Sequence, residues 1–182
     1  MDILMSTRPE WCELITSGKK EIEIRKSKPK LEETFDVYIY CTDSTKEIFY
    51  RRSDYLYDNF LYTPKHKEIE KKKLVENGYT VYNGKIIGKF LCCLVKKYDA
   101  IPGHARASYF LTDKEFAATG FDYLEDLFEY GNDKPLYGWH ISDLEIFDKP
   151  LDLSEFGKCG YDSFVPWKRP PQSWGYCERR KR

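Results

Sequence analysis

Gly18-Lys19-Lys20-Glu21-Ile22-Glu23-Ile24-Arg25 has the pattern of a capped helix ending and a strand beginning. A glycine just past an amphipathic helix marks a left-handed C-terminal stop. From Glu21 the residues alternate: Ile22 and Ile24 suit a core face, while Glu21, Glu23 and Arg25 suit the opposite one. One strand face then carries a carboxylate and a guanidinium two residues apart, with Lys20 at the strand's mouth. Strict alternation puts Lys20 on the parity of Ile22. The three charged groups therefore meet only if Lys20 belongs to the preceding turn. That arrangement is a donor and acceptor set for a polar ligand, and a solvated edge with a surface ion pair satisfies the same pattern.

Upstream, Ile3-Leu4-Met5 reads as a short buried strand. Thr7 and Glu10 have capping-box spacing with Pro9 in the first turn, so a helix is expected there, with Trp11, Leu14 and Ile15 on one face. Downstream, Phe35, Val37, Ile39 and Cys41 alternate with Asp36, Tyr38 and Tyr40, as in a half-buried strand whose second face bears two phenols. Residues 42–83 are polar and tyrosine-rich and include the basic run Lys65–Lys73, expected on a helix ending near Asn77-Gly78. They read as an insertion between core strands. Ile86–Val95 is almost continuously apolar, as in a strand buried on both faces. Ile101–His104 reads as a turn.

Thr112 and Glu115 form a second capping box ahead of a short helix stopped by Gly120. A further helix over about Asp122–Tyr130 buries Leu124, Leu127 and Phe128. In Tyr137–Phe147, Trp139 and Ile141 share one parity and Leu144 and Ile146 the other, which predicts a bulge near Ser142-Asp143. Leu151–Phe156 suits one helical turn, and Ser173–Glu178 a last strand. Strands with helices in their connections predict an α+β fold, a mostly antiparallel barrel with peripheral helices, formed by residues 1–182 as one domain.

The composition is globular, 41% hydrophobic with 33% charged residues and 30 basic against 30 acidic groups. The balance hides an asymmetry, because residues 99–157 carry 4 basic and 13 acidic groups and the two flanking segments are mildly basic. Basic ends suit an anionic partner such as nucleic acid. No apolar run approaches the ~20 residues of a membrane span, and MDILMSTRPEW lacks the flank and core of a signal peptide. A cytoplasmic protein is expected. The six cysteines form no C-x-x-C pair, so neither a metal site nor a cofactor is expected.

Gly18-x-Lys20-x-x-Glu23-x-Arg25 resembles the G-x-K-x-x-E-x-R signature of the ASCH domain family, a branch of the PUA-like superfamily. It stands between the first helix and the next strand, after Ser6-Thr7-Arg8-Pro9, as in that family. Tyr137–Leu144 and Pro170-Pro171-Gln172-Ser173-Trp174 are similar to segments of small phage- and prophage-type ASCH proteins. The resemblance implies a PUA-like pseudo-barrel with a cleft for RNA, single-stranded nucleic acid or a nucleotide-like small molecule. Ser6, Arg8, Lys20, Glu23, Arg25, Tyr40, His140 and Trp174 are the expected cleft residues, with Tyr40 and Trp174 as stacking surfaces and His140 as a donor or base. The alternative is a hydrolase acting on a modified nucleoside or on RNA, with Lys20 and Glu23 as catalytic candidates. In amidohydrolase relatives the lysine corresponds to Lys20, but their threonine position holds Glu23, which cannot be that nucleophile. A triad of Ser142, His140 and Asp143 is excluded, since alternation puts Asp143 on the other strand face.

Overall fold

The computed structural model describes residues 1–44, 47–53, 58–64, 71–101 and 108–180. The chain begins β1 (Asp2–Thr7), α1 (Pro9–Thr16), β2 (Ile22–Arg25), β3 (Phe35–Cys41), β4 (Glu47–Ser53), β5 (Asp58–Pro64), α2 (Lys71–Glu76) and β6 (Thr80–Val81). It continues through β7 (Lys85–Cys92), β8 (Val95–Tyr98), β9 (Ala100–Ile101), β10 (Ser108–Tyr109), α3 (Asp113–Thr119) and α4 (Leu124–Gly131). The last elements are β11 (Leu136–His140), β12 (Ser142–Leu151), a 3-10 turn at Leu153–Glu155, β13 (Phe156–Lys158), β14 (Val165–Pro166) and β15 (Trp174–Arg179). No described helix is long and apolar enough to cross a membrane.

The largest sheet has the order β12-β7-β3-β1-β15-β13-β14, with β1 parallel to β3 and its other pairings antiparallel. Its linear order leaves β12 and β14 as edges, so hydrogen bonding among the described strands does not close the expected barrel. The architecture is mixed α+β, with smaller sheets β2-β11-β8, β5-β4-β6 and β9-β10 beside the large one.

The run Ile86–Val95 is divided between two sheets. β7 ends at Cys92, Cys93 and Leu94 are exposed, and β8 pairs with β11 instead. The return crossing lies at Ile141, between β11 and β12. There Asp143 has a φ of 45° and the register shifts between Ser142 and Glu145, which is the bulge the phase change predicted. β12 crosses β7 so closely that a Cβ on Gly88 would lie 2.3 Å from the Glu145 carbonyl oxygen, so only glycine fits.

β3 is buried on both faces rather than half-buried. Val37 and Ile39 enter the main apolar core with Met5 and Phe90, while Tyr38 and Tyr40 enter a second core with Leu4, Ile86 and Phe156. The Tyr38 ring meets Phe156 edge-on at 4.7 Å. β13 and the segment carrying Trp167 cover the face that local alternation assigns to solvent.

The helix boundaries also depart from expectation. Thr7 does not cap α1: it remains in β1, and Arg8 is the N-cap with no side-chain capping hydrogen bond. Pro9, lacking an N–H, removes one of the donors a cap would satisfy. The stop behaves as read, with Gly18 at φ 74°, Gly18 N donating to the Ile15 carbonyl and Lys20 N to that of Leu14. α3 carries the predicted Thr112–Glu115 box and ends on left-handed Gly120. In α4 Leu127 is buried but Leu124 is exposed, and the left-handed cap is Asn132. Of the basic run, residues 71–73 open α2. Residues 65–70 with His66, and 102–107 with the expected turn and His104, lie outside the described residues.

Candidate functional site

β2 contributes both of its faces to buried structure. Ile22 and Ile24 pack with Tyr98, Leu127 and Leu136. Glu23 and Arg25 point the other way and are still only 5% and 7% exposed. β11 pairs with one edge of β2, placing Trp139 opposite Glu23 and Tyr137 opposite Arg25. The approach to β2 is held by α3, whose Ala118 carbonyl accepts from Glu21 N at 2.8 Å. Lys20 therefore lies in the turn before the strand, as a meeting of the three charges requires.

The Glu23 carboxylate sits between two cations. Its Oε1 is 2.9 Å from an Arg25 guanidinium nitrogen and its Oε2 is 3.4 Å from Lys20 Nζ. Lys20 is 3% exposed, donates to the Thr119 carbonyl at the end of α3, and lies 4.7 Å over the Trp11 ring and 5.7 Å over that of Phe121. Burial lowers the lysine's pKa, with Glu23 opposing that shift and Arg25 adding to it. Arg25 donates to the Ser6 carbonyl at 2.8 Å and reaches the Ser173 hydroxyl at 3.3 Å and Thr7 Oγ1 at 3.5 Å. It thereby ties β2 to the end of β1 and to the segment before β15.

Two polar atoms of this set are buried without a hydrogen-bond partner, Glu23 Oε2 and Arg25 Nε. The Lys20 ammonium, 3.4 Å from Oε2, is its ion-pair partner. Leaving a buried donor or acceptor unpaired costs ~1–3 kcal/mol each, so such atoms call for an explanation. Both residues line a cavity of about 890 Å³ bounded by α1, β2, the α3–α4 connection and residues 172–173. Trp11, Phe121 and Tyr130 form its aromatic wall, with Trp11 and Phe121 centroids 5.1 Å apart.

Of the residues singled out from sequence, Ser6, Arg8, Lys20, Glu23 and Arg25 line this cavity, and Tyr40, His140 and Trp174 do not. Ser6 donates to the Pro171 carbonyl at 2.6 Å, and Arg8 stands exposed, paired with Glu10 at 3.0 Å. Tyr40 belongs to the second core. His140 ends β11 with Nε2 unpartnered, its pKa lowered by burial. Trp174 touches the site indirectly: its indole N–H donates to the lining residue Ser27 at 3.0 Å, and its ring packs on Trp139. Sequence reasoning missed Thr7, Phe121, Tyr130, Asp126 and Glu129 as lining residues. The last three lie on the helix already read from residues 122–130, but nothing local says what that helix faces.

The chain matches the family model of the ASCH domain over residues 5–101, a segment that contains the Lys20–Glu23–Arg25 set. The α3–α4 wall lies outside the matched residues. Among solved structures the chain is similar to ASCH from Zymomonas mobilis, at 15% identity and a TM-score of 0.44, with 96% of this chain and 86% of that one covered. A mutant of the same Zymomonas protein aligns at 14% identity and a TM-score of 0.43, covering 96% and 88%. No curated protein matches.

Proposed function

The chain belongs to the ASCH domain family, and from that premise we propose that its cavity receives one base of single-stranded RNA or a nucleotide-like small molecule. The observation that carries this reading is the pair of buried, unpartnered atoms on Glu23 and Arg25 at the floor of a cavity with an aromatic wall. An unpaired base presents an acceptor beside a donor on its edge and an apolar face. Arg25 Nε and Glu23 Oε2 complement the edge, and Trp11 or Phe121 the face. Base-on-aromatic stacking contributes ~1–3 kcal/mol. A volume of about 890 Å³ lies within the ~300–1,000 Å³ typical of small-molecule sites. In this reading the sheets around the cleft form the PUA-like pseudo-barrel, residues 1–182 act as one domain, and 42–83 are an insertion whose first residue, Thr42, lines the cavity.

Anisotropy titration with a labelled single-stranded RNA pool tests the proposal. Wild type binds with a salt slope of about 0.7 log per phosphate neutralised. Phe121→Ala, at a half-buried wall position, weakens binding about tenfold with the thermal midpoint checked alongside. Failure of the wild type to bind any RNA or nucleotide removes the reading.

A hydrolase acting on a modified nucleoside or on RNA has one observation in its favour: Lys20 is a buried amine with a lowered pKa beside a carboxylate, the environment that activates catalytic lysines. Against it, the same amine donates to the Thr119 carbonyl and faces two rings. Turnover of acylated cytidines or RNA by wild type, lost in Lys20→Met, would favour the enzyme.

A further inference from the structure

The cavity mouth is divided by charge. Arg8 precedes α1 and Lys26 follows β2, its ammonium 4.8 Å over the Tyr130 ring, whereas Asp122, Asp126 and Glu129 come from the α3–α4 connection and α4. Asp126 and Glu129, three residues apart in α4, share one helical face, and Asp122 precedes the helix. None of them makes a hydrogen bond or ion pair among the described residues. Asp126, in the first turn of α4, suits the positive end of the helix dipole, but Glu129 is in the last turn, where an anion is disfavoured. Like charges three and four residues apart also oppose each other. Helix stability therefore does not explain the row. In the same lining, Glu23 and Arg25 are more than nine-tenths buried, and Glu23 Oε2 and Arg25 Nε lack hydrogen-bond partners.

We propose that the α4 carboxylates accept from a ribose whose 2′ and 3′ hydroxyls are both free, with Asp126 and Glu129 as the specificity-determining pair. This rests on the nucleic-acid reading above. A base seated against Trp11 and Phe121 leaves its sugar among these charged groups. Hydroxyls donate strongly to carboxylates, the contact by which an acidic residue selects a ribose 2′-OH in dinucleotide sites. A phosphate meets repulsion from these carboxylates, and attraction only from Arg8 and Lys26. An internal RNA nucleotide would put its 3′ phosphate against the carboxylates. The site therefore takes the 3′-terminal nucleotide of a strand or a free ribonucleoside, the two sources of an open ribose diol.

Short single-stranded RNAs labelled at the 5′ end and differing only at the 3′ end provide the test. The free diol binds at least tenfold tighter than the 3′-phosphate and several-fold tighter than a terminal 2′-deoxy nucleotide. The double variant Asp126→Asn with Glu129→Gln, at exposed positions, still binds and loses both preferences. Competition by free ribonucleosides assigns the diol to a monomer, and indifference to them assigns it to a strand end. Equal affinity for diol and 3′-phosphate RNA, with Phe121→Ala still weakening both, overturns this inference and leaves the nucleic-acid reading intact. Absence of binding to every probe by the wild type removes both.

Discussion

At the start of α3, Thr112 Oγ1 accepts from Glu115 N at 3.2 Å, and the Glu115 carboxylate accepts from Thr112 N at 2.9 Å. At the start of α1, Thr7 and Glu10 have the same spacing and do neither. Thr7 is held in β1 by its ladder to Cys41, and its carbonyl accepts from Thr42 N at 2.8 Å. Its hydroxyl sits by the Arg25 guanidinium, and Glu10 turns to Arg8. The helix that begins at the surface follows its local signal. The helix that begins beside the buried charges gives its threonine to them. A Thr-x-x-Glu motif therefore reports a cap only where no tertiary partner claims the hydroxyl.

The largest expected effect lies on the buried side. Glu23→Ala leaves Lys20 and Arg25 without a counter-charge in a site from which water is largely excluded, and removing one partner of a buried pair costs about 3–5 kcal/mol. Urea unfolding of Glu23→Ala should show this as a lower midpoint with an unchanged slope. A loss below about 1 kcal/mol would mean that water screens the set, as at an exposed ion pair, and the contrast between the two helix starts would shrink accordingly.

The α3 cap is the intermediate case. The Lys96 ammonium, with the Thr112 N–H and hydroxyl, holds the Glu115 carboxyl at about 2, well below its ordinary 4.5. As pH falls the unfolded chain takes up this proton first, so the contribution to stability is complete above about 4.5 and is lost between there and about 2. Melting temperature in that window should fall less steeply in Glu115→Gln than in wild type. At neutral pH, Thr112→Ala should cost about 1 kcal/mol, as is usual for a lost N-cap. Equal acid slopes in the two proteins would show that the cap carries no linkage.

These contrasts also explain which parts of the chain are legible in its sequence. The alternation after Gly18, the Thr112 cap and the phase change at Ser142-Asp143 are local patterns, and local geometry follows them. That Lys20 belongs to the turn follows from parity alone. The division between β7 and β8 is hidden because Cys93-Leu94 contains no turn-forming residue. The burial of Tyr38 and Tyr40 depends on β13 and Trp167, which come much later in the chain. Likewise, the charged set can be read from eight consecutive residues, whereas the wall of Phe121, Asp126, Glu129 and Tyr130 needs a distant helix to dock through Leu127 on Ile22 and Ile24 of β2. The cavity is partly legible because one of its sides is local in sequence and the other is assembled by tertiary contacts.

The smallest effect is expected at Thr7, and it is the most discriminating. Thr7→Val preserves volume and β-branching, which suits a residue in a buried strand. It removes a hydroxyl whose contact with Arg25, at 3.5 Å, lies at the outer limit of a hydrogen bond. If Thr7 has no part in starting α1, unfolding free energy should fall by less than about 0.5 kcal/mol, below the ~1 kcal/mol of a lost cap. Helical content should stay unchanged. A loss as large as that of Thr112→Ala would mean that Thr7 caps α1 in solution. The buried charges would then have to be held by Ser6 and Ser173 alone, so the measurement tests the geometry of the site through the stability of its neighbouring helix.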